Sequence, residues 1–484
     1  MTVTLALHRV MSRALAIAAC AAAPVLLALS APSAVAADTY PADLVERGRY
    51  LATASDCIAC HTAHHGKPMA GGLVMGSPVG NIVSTNITPS KEFGIGSYTE
   101  QQFADAVRKG VRADGSNLYP AMPYVSYAVM TNEDVHALYA YFMQGVEPVD
   151  QTTAETRLPF PMNFRPLMKG WNFLFLKDEP HQNDPAQSPE WNRGRYLVNG
   201  PAHCSTCHTP RGIAMQERLD LNLAGAQVGP WYAPNITPDK VSGIGSWTHD
   251  ELVTYLKTGR VASKAQAAGS MAEAIQYSFS QLTDEDLKAI ATYTMSVPAV
   301  RDAGHADDRK NRFEQGSAGH DLPGFRGRPY ADGMKGEHVG AQLFSANCAS
   351  CHGASGQGTR DGYYPSLFKN SVTAGHASNL LATILYGVDR KTAEGHVFMP
   401  PFGSQPNAMN ALSNEEIAHL ANYVFTQHGH TDKAVTAADV QVIRDGGPQS
   451  HLVTMARVGM AVAALVVVAL LAWLLRRRNR ARGD

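Results

Sequence analysis

Apolar positions recur at helical spacing in three places, each behind the same polar start signal. Thr131-Asn132-Glu133-Asp134, Thr283-Asp284-Glu285-Asp286 and Ser413-Asn414-Glu415-Glu416 each put a hydroxyl at a helix cap and an acid three residues on. Val135, Leu138 and Tyr141 follow the first, Leu287, Ile290 and Tyr293 the second, and Ile417, Leu420 and Tyr423 the third. Steps of three residues fall on one helix face, so each stretch predicts a capped helix packed on a core. The pattern changes near the C-terminus. Residues 458–475 carry no charge, and at ~1.5 Å per residue they reach about 27 Å, which predicts a membrane-spanning helix. Trp473 stands near its end, followed by Arg476, Arg477, Arg478, Arg480 and Arg482. An arginine block on one side predicts a cytoplasmic tail, with the body across the membrane.

The N-terminus agrees with that orientation. Arg9 and Arg13 precede an apolar stretch over 14–29, and Ala34-Val35-Ala36 has the form of a cleavage site. Residues 1–36 are therefore predicted to be a secretory signal. A lipoprotein signal ending at Cys20 is the alternative, with only a short apolar run before the cysteine.

Between the ends the chain repeats. Asn86-Ile87-Thr88-Pro89 returns as Asn235-Ile236-Thr237-Pro238, and Gly94-Ile95-Gly96-Ser97 returns as Gly243-Ile244-Gly245-Ser246. Arg47-Gly48-Arg49-Tyr50-Leu51 returns as Arg193-Gly194-Arg195-Tyr196-Leu197, with Gly340-Ala341-Gln342-Leu343-Phe344 in the matching third place. A glycine in each first helix could let a final helix approach closely. The expected fold is all-α, with three tandem domains at 37–150, 189–300 and 336–430. An apolar linker covers 151–188, a connector 301–335, a tether 431–456, the span 457–475 and a basic cytoplasmic tail 476–484.

Composition sharpens this in two ways. The 484 residues carry 41 Lys and Arg against 42 Asp and Glu. The near balance sums an acidic body and a basic anchor facing different compartments, and it gives no nucleic-acid footprint. Seven cysteines are too few for a disulfide scaffold.

One of the seven, Cys20, falls in the signal. The other six form Cys57-Ile58-Ala59-Cys60-His61, Cys204-Ser205-Thr206-Cys207-His208 and Cys348-Ala349-Ser350-Cys351-His352. C-x-x-C-H is the attachment motif of c-type haem, and composition alone predicts only about 0.004 copies. Two thiols on one helical turn can bond the two vinyl groups of one haem, and the next residue, His, supplies the proximal nitrogen. Zinc would need four ligands per site. Three covalently bound haem c groups are expected, with His61, His208 and His352 on the irons.

The sixth ligand is chosen by register. Met122 maps onto Met271 at the 149-residue offset shared by the other motifs, and Met399 holds the matching place in the third unit. Prolines beside Met122 and Met399 stiffen the segments presenting the sulfur. Met143 and Met295 correspond to Phe425 and are expected in the core. His64 and His65 lie too near their own motif to reach over a haem, and His136 and His419 fall on terminal helices. In the third unit the Pro365 carbonyl is a candidate acceptor for the other ring nitrogen of His352.

These features together resemble a known family. Asp56-Cys57-Ile58-Ala59-Cys60-His61-Thr62-Ala63, Ser84-Thr85-Asn86-Ile87-Thr88-Pro89, Tyr119-Pro120-Ala121-Met122-Pro123-Tyr124 and Leu197-Val198-Asn199-Gly200-Pro201 carry the likeness. The chain resembles the tri-haem cytochrome c subunit of bacterial membrane-bound dehydrogenases. The resemblance implies class I-like cytochrome c domains and His/Met ligation. It also implies a partner dehydrogenase subunit (a quinoprotein, a flavoprotein or a molybdenum enzyme) and delivery of electrons to ubiquinone from a bilayer anchor. No G-x-G-x-x-G at a strand–helix junction and no P-loop occur, so this chain is not expected to oxidise a substrate itself. A stand-alone tethered carrier serving a terminal oxidase is the alternative. A multihaem peroxidase fits poorly with three matched methionines. The apolar stretch 158–176 needs a cover, either domain packing or a docking surface for the dehydrogenase or the bilayer.

Overall fold

In the computed structural model the described residues are 39–302, 310–319, 337–429 and 434–480. The expected signal with Cys20, most of the connector 301–335 and the last tail residues lie outside them. The helices that position the site are labelled here in chain order. α1 is Ala42–Ala54, α2 Asn132–Ala140, α3 Leu167–Phe175, α4 Pro189–Asn199, α5 Asp284–Thr294, α6 Glu337–Asn347, α7 Asn414–Val424, α8 Ala437–Arg444 and α9 Leu452–Arg480.

Three pairs, α1 with α2, α4 with α5 and α6 with α7, hold the described body together. Each pair meets at a glycine of its first helix. A Cβ on Gly48 would stand 1.9 Å from the Ala137 carbonyl oxygen, one on Gly194 1.9 Å from that of Ala289, and one on Gly340 2.4 Å from that of His419. The second helices start where the polar signals stand. Thr131 and Thr283 accept from the amides of Asp134 and Asp286, and Ser413 and Glu416 form a full capping box. The apolar positions behind them are buried in three clusters. Val135 and Leu138 join Leu51 and Phe103, Leu287 and Ile290 join Leu197 and Ile275, and Ile417 and Leu420 join Phe344 and Leu385.

Small antiparallel hairpins depart from the all-α expectation. β1 (Val74–Ser77) pairs with β2 (Gly80–Val83), β3 (Ala226–Val228) with β4 (Trp231–Ala233), β5 (Arg260–Val261) with β6 (Ala265–Gln266), and β7 (Val388–Thr392) with β8 (Gly395–Met399). Their strands run two to five residues. That is too short for an alternating apolar pattern to stand out in a sequence.

The first two helix pairs exchange partners across their boundary. Asp134 accepts from Arg47 of its own pair at 2.9 Å and from the Tyr196 hydroxyl of the next. Asp286 accepts from Arg193 of its own pair at 2.8 and 2.7 Å and from the Tyr50 hydroxyl of the first at 2.7 Å. The repeated Arg-Gly-Arg-Tyr segments thus bind one acid in cis and one in trans. Burial raises the Asp286 pKa, but the hydrogen bonds from Arg193 and Tyr50 outweigh it, and the net shift is downward. A lowered carboxylate pKa contributes stability fully above the usual carboxylate range and loses it as pH falls through the lowered value. Asp286→Asn is expected to cost about 2 kcal/mol at neutral pH. In denaturant titrations the gap to wild type should shrink below about pH 4. An unchanged gap in acid would remove Asp286 as the source.

The segment expected as a tether, 431–456, needs correction. It holds α8, capped by Thr436 and Asp439, whose Val440 and Ile443 are buried in the third cluster. Spacing of three between two aliphatic residues gives it a core face. α9 follows. Its stretch Leu452–Asn479 is long and apolar enough to cross a membrane, and none of its most apolar window is buried by protein.

Candidate cofactor sites

Each cysteine motif forms a single helical turn behind the first helix of its pair: Cys57–Cys60, Ser205–His208 and Ala349–His352. None of the six cysteines is in a disulfide. Burial pushes the thiols of Cys57, Cys204 and Cys348 up to about 12, and the charge of Asp56 adds to this at Cys57. Redox dithiols and reactive nucleophiles instead have a stabilised thiolate, with the pKa shifted the other way.

The histidines are held alike. His61 Nδ1 lies 2.7 Å from the Thr85 carbonyl oxygen, His208 Nδ1 2.7 Å from that of Pro234 and His352 Nδ1 2.9 Å from that of Pro365. Burial lowers the pKa of all three against the smaller opposing effect of the carbonyl. A neutral imidazole that donates from Nδ1 presents the Nε2 lone pair to a metal. The backbone behind each ring also matches, for the carbonyls of His61, His208 and His352 accept from the amides of Gly71, Gly225 and Gly358.

The Pro365 carbonyl is where the sequence placed it. Thr85 and Pro234 were missed, although both directly precede the Asn-Ile-Thr-Pro repeat. The structure gives that repeat its physical role. Asn86 Oδ1 accepts from the Thr88 amide and hydroxyl at 2.9 and 2.7 Å, and Asn235 Oδ1 from those of Thr237 at 2.8 and 2.7 Å. Asn86 Nδ2 donates to the Val149 carbonyl at 2.8 Å and Asn235 Nδ2 to that of Val300 at 2.7 Å. The motif folds the loop that offers the carbonyl and ties it to the chain leaving the second helix.

In the middle unit the candidate residues surround one cavity. Cys204, Cys207, His208 and Met271 all line a space of about 260 Å³ walled mostly by apolar groups such as Ile244 and Phe279. In the first unit Cys57 and Met122 both pack on the cluster around Leu51, and in the third Cys348 and Met399 both pack on that around Phe344. The methionines stand on different local structures. Met122 precedes a short helical turn, Met271 lies in the first turn of a helix, and Met399 ends β8. Met143 and Met295 pack in the cores, and His136 is paired with Glu100 at 2.9 Å.

These features fit a covalently held haem. Paired thiols share a turn, a neutral imidazole has one nitrogen committed, and the middle cavity is apolar with a thioether in its wall. Among the described residues, no three His, Cys, Asp or Glu side chains gather to hold a metal ion unaided.

Comparison with known proteins gives the same chemistry. Residues 338–427 match the family described as Cytochrome c. The chain is 44% identical over 447 residues to the fructose dehydrogenase cytochrome subunit of Gluconobacter japonicus, covering 90% of this chain and 91% of that one. It is 40% identical over 431 residues to the cytochrome c subunit of the quinone alcohol dehydrogenase of Gluconacetobacter polyoxogenes, covering 85% and 86%. It is 37% identical over 438 residues to the gluconate 2-dehydrogenase cytochrome c subunit of Pantoea cypripedii, covering 87% and 94%.

Proposed function

Because the chain belongs to the family of cytochrome c subunits of fructose, alcohol and gluconate dehydrogenases, we propose that it is a membrane-anchored tri-haem cytochrome. It takes electrons from a partner dehydrogenase subunit and delivers them to ubiquinone. The observation that carries this is the middle cavity, where two thiols of one turn, an oriented imidazole and a thioether share one apolar wall.

Cys57 with Cys60, Cys204 with Cys207, and Cys348 with Cys351 would each bond one haem. His61 and Met122, His208 and Met271, and His352 and Met399 would hold the three irons. Haem c supplies a reversible one-electron couple at iron, and Met in place of a second His raises its potential. The protein contributes position and environment. The carbonyls of Thr85, Pro234 and Pro365 fix each ring, and apolar walls exclude water and so set the potential. The domains assigned at 37–150, 189–300 and 336–430 each carry one site. α9 spans the inner membrane with its arginines in the cytoplasm and the haem domains in the periplasm, a reading supported by the arginine block after the apolar run.

The test is purification from detergent-solubilised membranes of the native source. The expected preparation contains three covalent haems per chain, a co-purifying flavin-, quinone-cofactor- or molybdenum-containing subunit, and substrate-dependent reduction of a ubiquinone analogue. Two haems would overturn the tri-haem assignment. A chain free of any dehydrogenase that reduces an oxidase directly would overturn the assignment of partner and acceptor.

A further inference from the structure

α3 is apolar on both faces. In a surface helix of a soluble protein the apolar stripe faces the core and the polar face meets water. Here the Trp171 ring packs on Tyr124 and Phe175, and polar groups on the same side tie the helix to the body. Trp171 Nε1 donates to the Ala214 carbonyl at 2.8 Å, Asn172 Oδ1 accepts from the Tyr124 hydroxyl at 2.8 Å, and Asn172 Nδ2 donates to the Lys109 carbonyl at 3.0 Å. The opposite face is apolar and open: Phe173 is 88% exposed and Leu174 70%, with Leu167 also exposed. Phe160 and Phe164 in the preceding loop extend the same open surface. The hydrogen bonds of Trp171 and Asn172 fix the rotation of the helix, so Phe173 cannot turn inward without breaking them.

Two further observations say what covers this surface. The first is charge. Residues 158–177 contain Arg165, Lys169 and Lys177 and no acid, with Asp178 and Glu179 following, Asp178 paired with Lys109 of the body. Arg165 is tied to the Asn117 carbonyl at 2.6 Å, whereas Lys169 and Lys177 are exposed beside the apolar face. Aromatic and leucine side chains rimmed by lysine suit an anionic lipid interface. The second is place. Arg457 Nε donates to the Phe160 carbonyl at 2.9 Å, and Arg457 immediately precedes the uncharged run of α9. The loop carrying Phe160 and Phe164 is therefore held against the helix where that helix leaves the polar region. The open surface is continuous with the start of the span.

We propose that α3 and the 158–166 loop form a second membrane contact, lying in the outer lipid interface beside the entry point of α9. This rests on α9 being a membrane span. The contact would hold the haem-bearing body at a fixed tilt against the bilayer instead of leaving it on a single tether.

With the six motif cysteines bonded to haem, a new cysteine is a unique site for a nitroxide label. Phe173→Cys, Leu465→Cys in the middle of α9 and Met409→Cys, exposed on the third unit, are made in the full-length chain. Each is reconstituted in phosphatidylethanolamine–phosphatidylglycerol vesicles, and intact haem absorbance reports folding. Collision with oxygen, which favours lipid, is compared with collision with a water-soluble nickel chelate. The expected oxygen-to-nickel ratio at 173 is several-fold above that at 409 and below that at 465. A ratio at 173 equal to that at 409, with 465 deep in lipid, overturns the contact while leaving the anchor intact. An aqueous ratio at 465 overturns the anchor and the contact with it. Protection at 173 from both reagents, seen only with a co-purified subunit bound, assigns the surface to a protein and also overturns the proposal.

Discussion

Replacing Cys204 and Cys207 with serine is expected to unfold the middle unit, and not only to remove the haem proposed there. Cys204, Cys207, His208 and Met271 line a space of about 260 Å³ whose wall is mostly apolar, and leaving that wall to water loses the burial a bound haem would supply. A domain has a total stability of about 5–15 kcal/mol. In the proposed function haem is a structural part of this core. The loss should spread, because the wall includes Trp231 and Tyr232 of β4. Tyr232 is clasped by the third unit, its amide donating to Asn379 Oδ1 at 2.8 Å and its carbonyl accepting from Asn379 Nδ2 at 2.9 Å. Limited proteolysis of the double variant should cut first within 189–300, and far-ultraviolet circular dichroism should show lost helix. A variant that keeps wild-type helix content and protease resistance would show that the core closes without its cofactor.

The residues that carry chemistry are the ones a sequence displays best, because spacing within one turn is itself the chemistry. The C-x-x-C-H turns, the capped second helices and the glycine in each first helix are local, and each is found where its spacing puts it. Long-range choices are different. The repeats display Arg47 with Tyr50, Arg193 with Tyr196, and two acids at Asp134 and Asp286, but repetition cannot say that each tyrosine reaches the other unit's acid. Arg390 is a second case. It lies on β7, is almost fully buried, and donates to the Ala267 carbonyl at 2.6 Å and to Gln266 Oε1 at 3.1 Å in the neighbouring unit. A charged residue in a short hairpin gives no sign of burial. α8 was legible in principle from Thr436, Asp439, Val440 and Ile443, yet it is only eight residues long, and a polar background hid it. The stretch 158–176 shows in its sequence that it needs a cover, but not which rings the body takes: Trp171 packs against Tyr124, while Phe173 and Leu174 stay exposed.

Gly194→Ala, the addition of one methyl group, is expected to be among the most damaging single substitutions in the chain. The new Cβ would lie 1.9 Å from the Ala289 carbonyl oxygen, 2.6 Å from its carbon and 2.8 Å from Tyr293 Cβ. The first two are backbone atoms of α5, so no rotamer change relieves the clash and α4 and α5 must move apart. Their separation would loosen Leu197 from Leu287 and Ile290 in the same cluster, and it would strain the hydrogen bonds from Arg193 and Tyr50 that meet at Asp286 on α5. Overpacking of this kind costs about 3 kcal/mol, and here the partner cannot yield. Gly170→Ala is the matched control. It also lies within a helix, α3, but its Cβ would meet nothing within 4 Å, and alanine's higher helix propensity predicts a gain of up to about 1 kcal/mol. Denaturant titration of the two variants separates the explanations. If glycine matters only through backbone entropy, both alanines stabilise. If close approach of the paired helices decides, Gly194→Ala falls by several kcal/mol while Gly170→Ala does not. Equal behaviour would mean that α4 and α5 do not pack through Gly194 in solution, and the shared architecture of the three helix pairs would lose its physical basis.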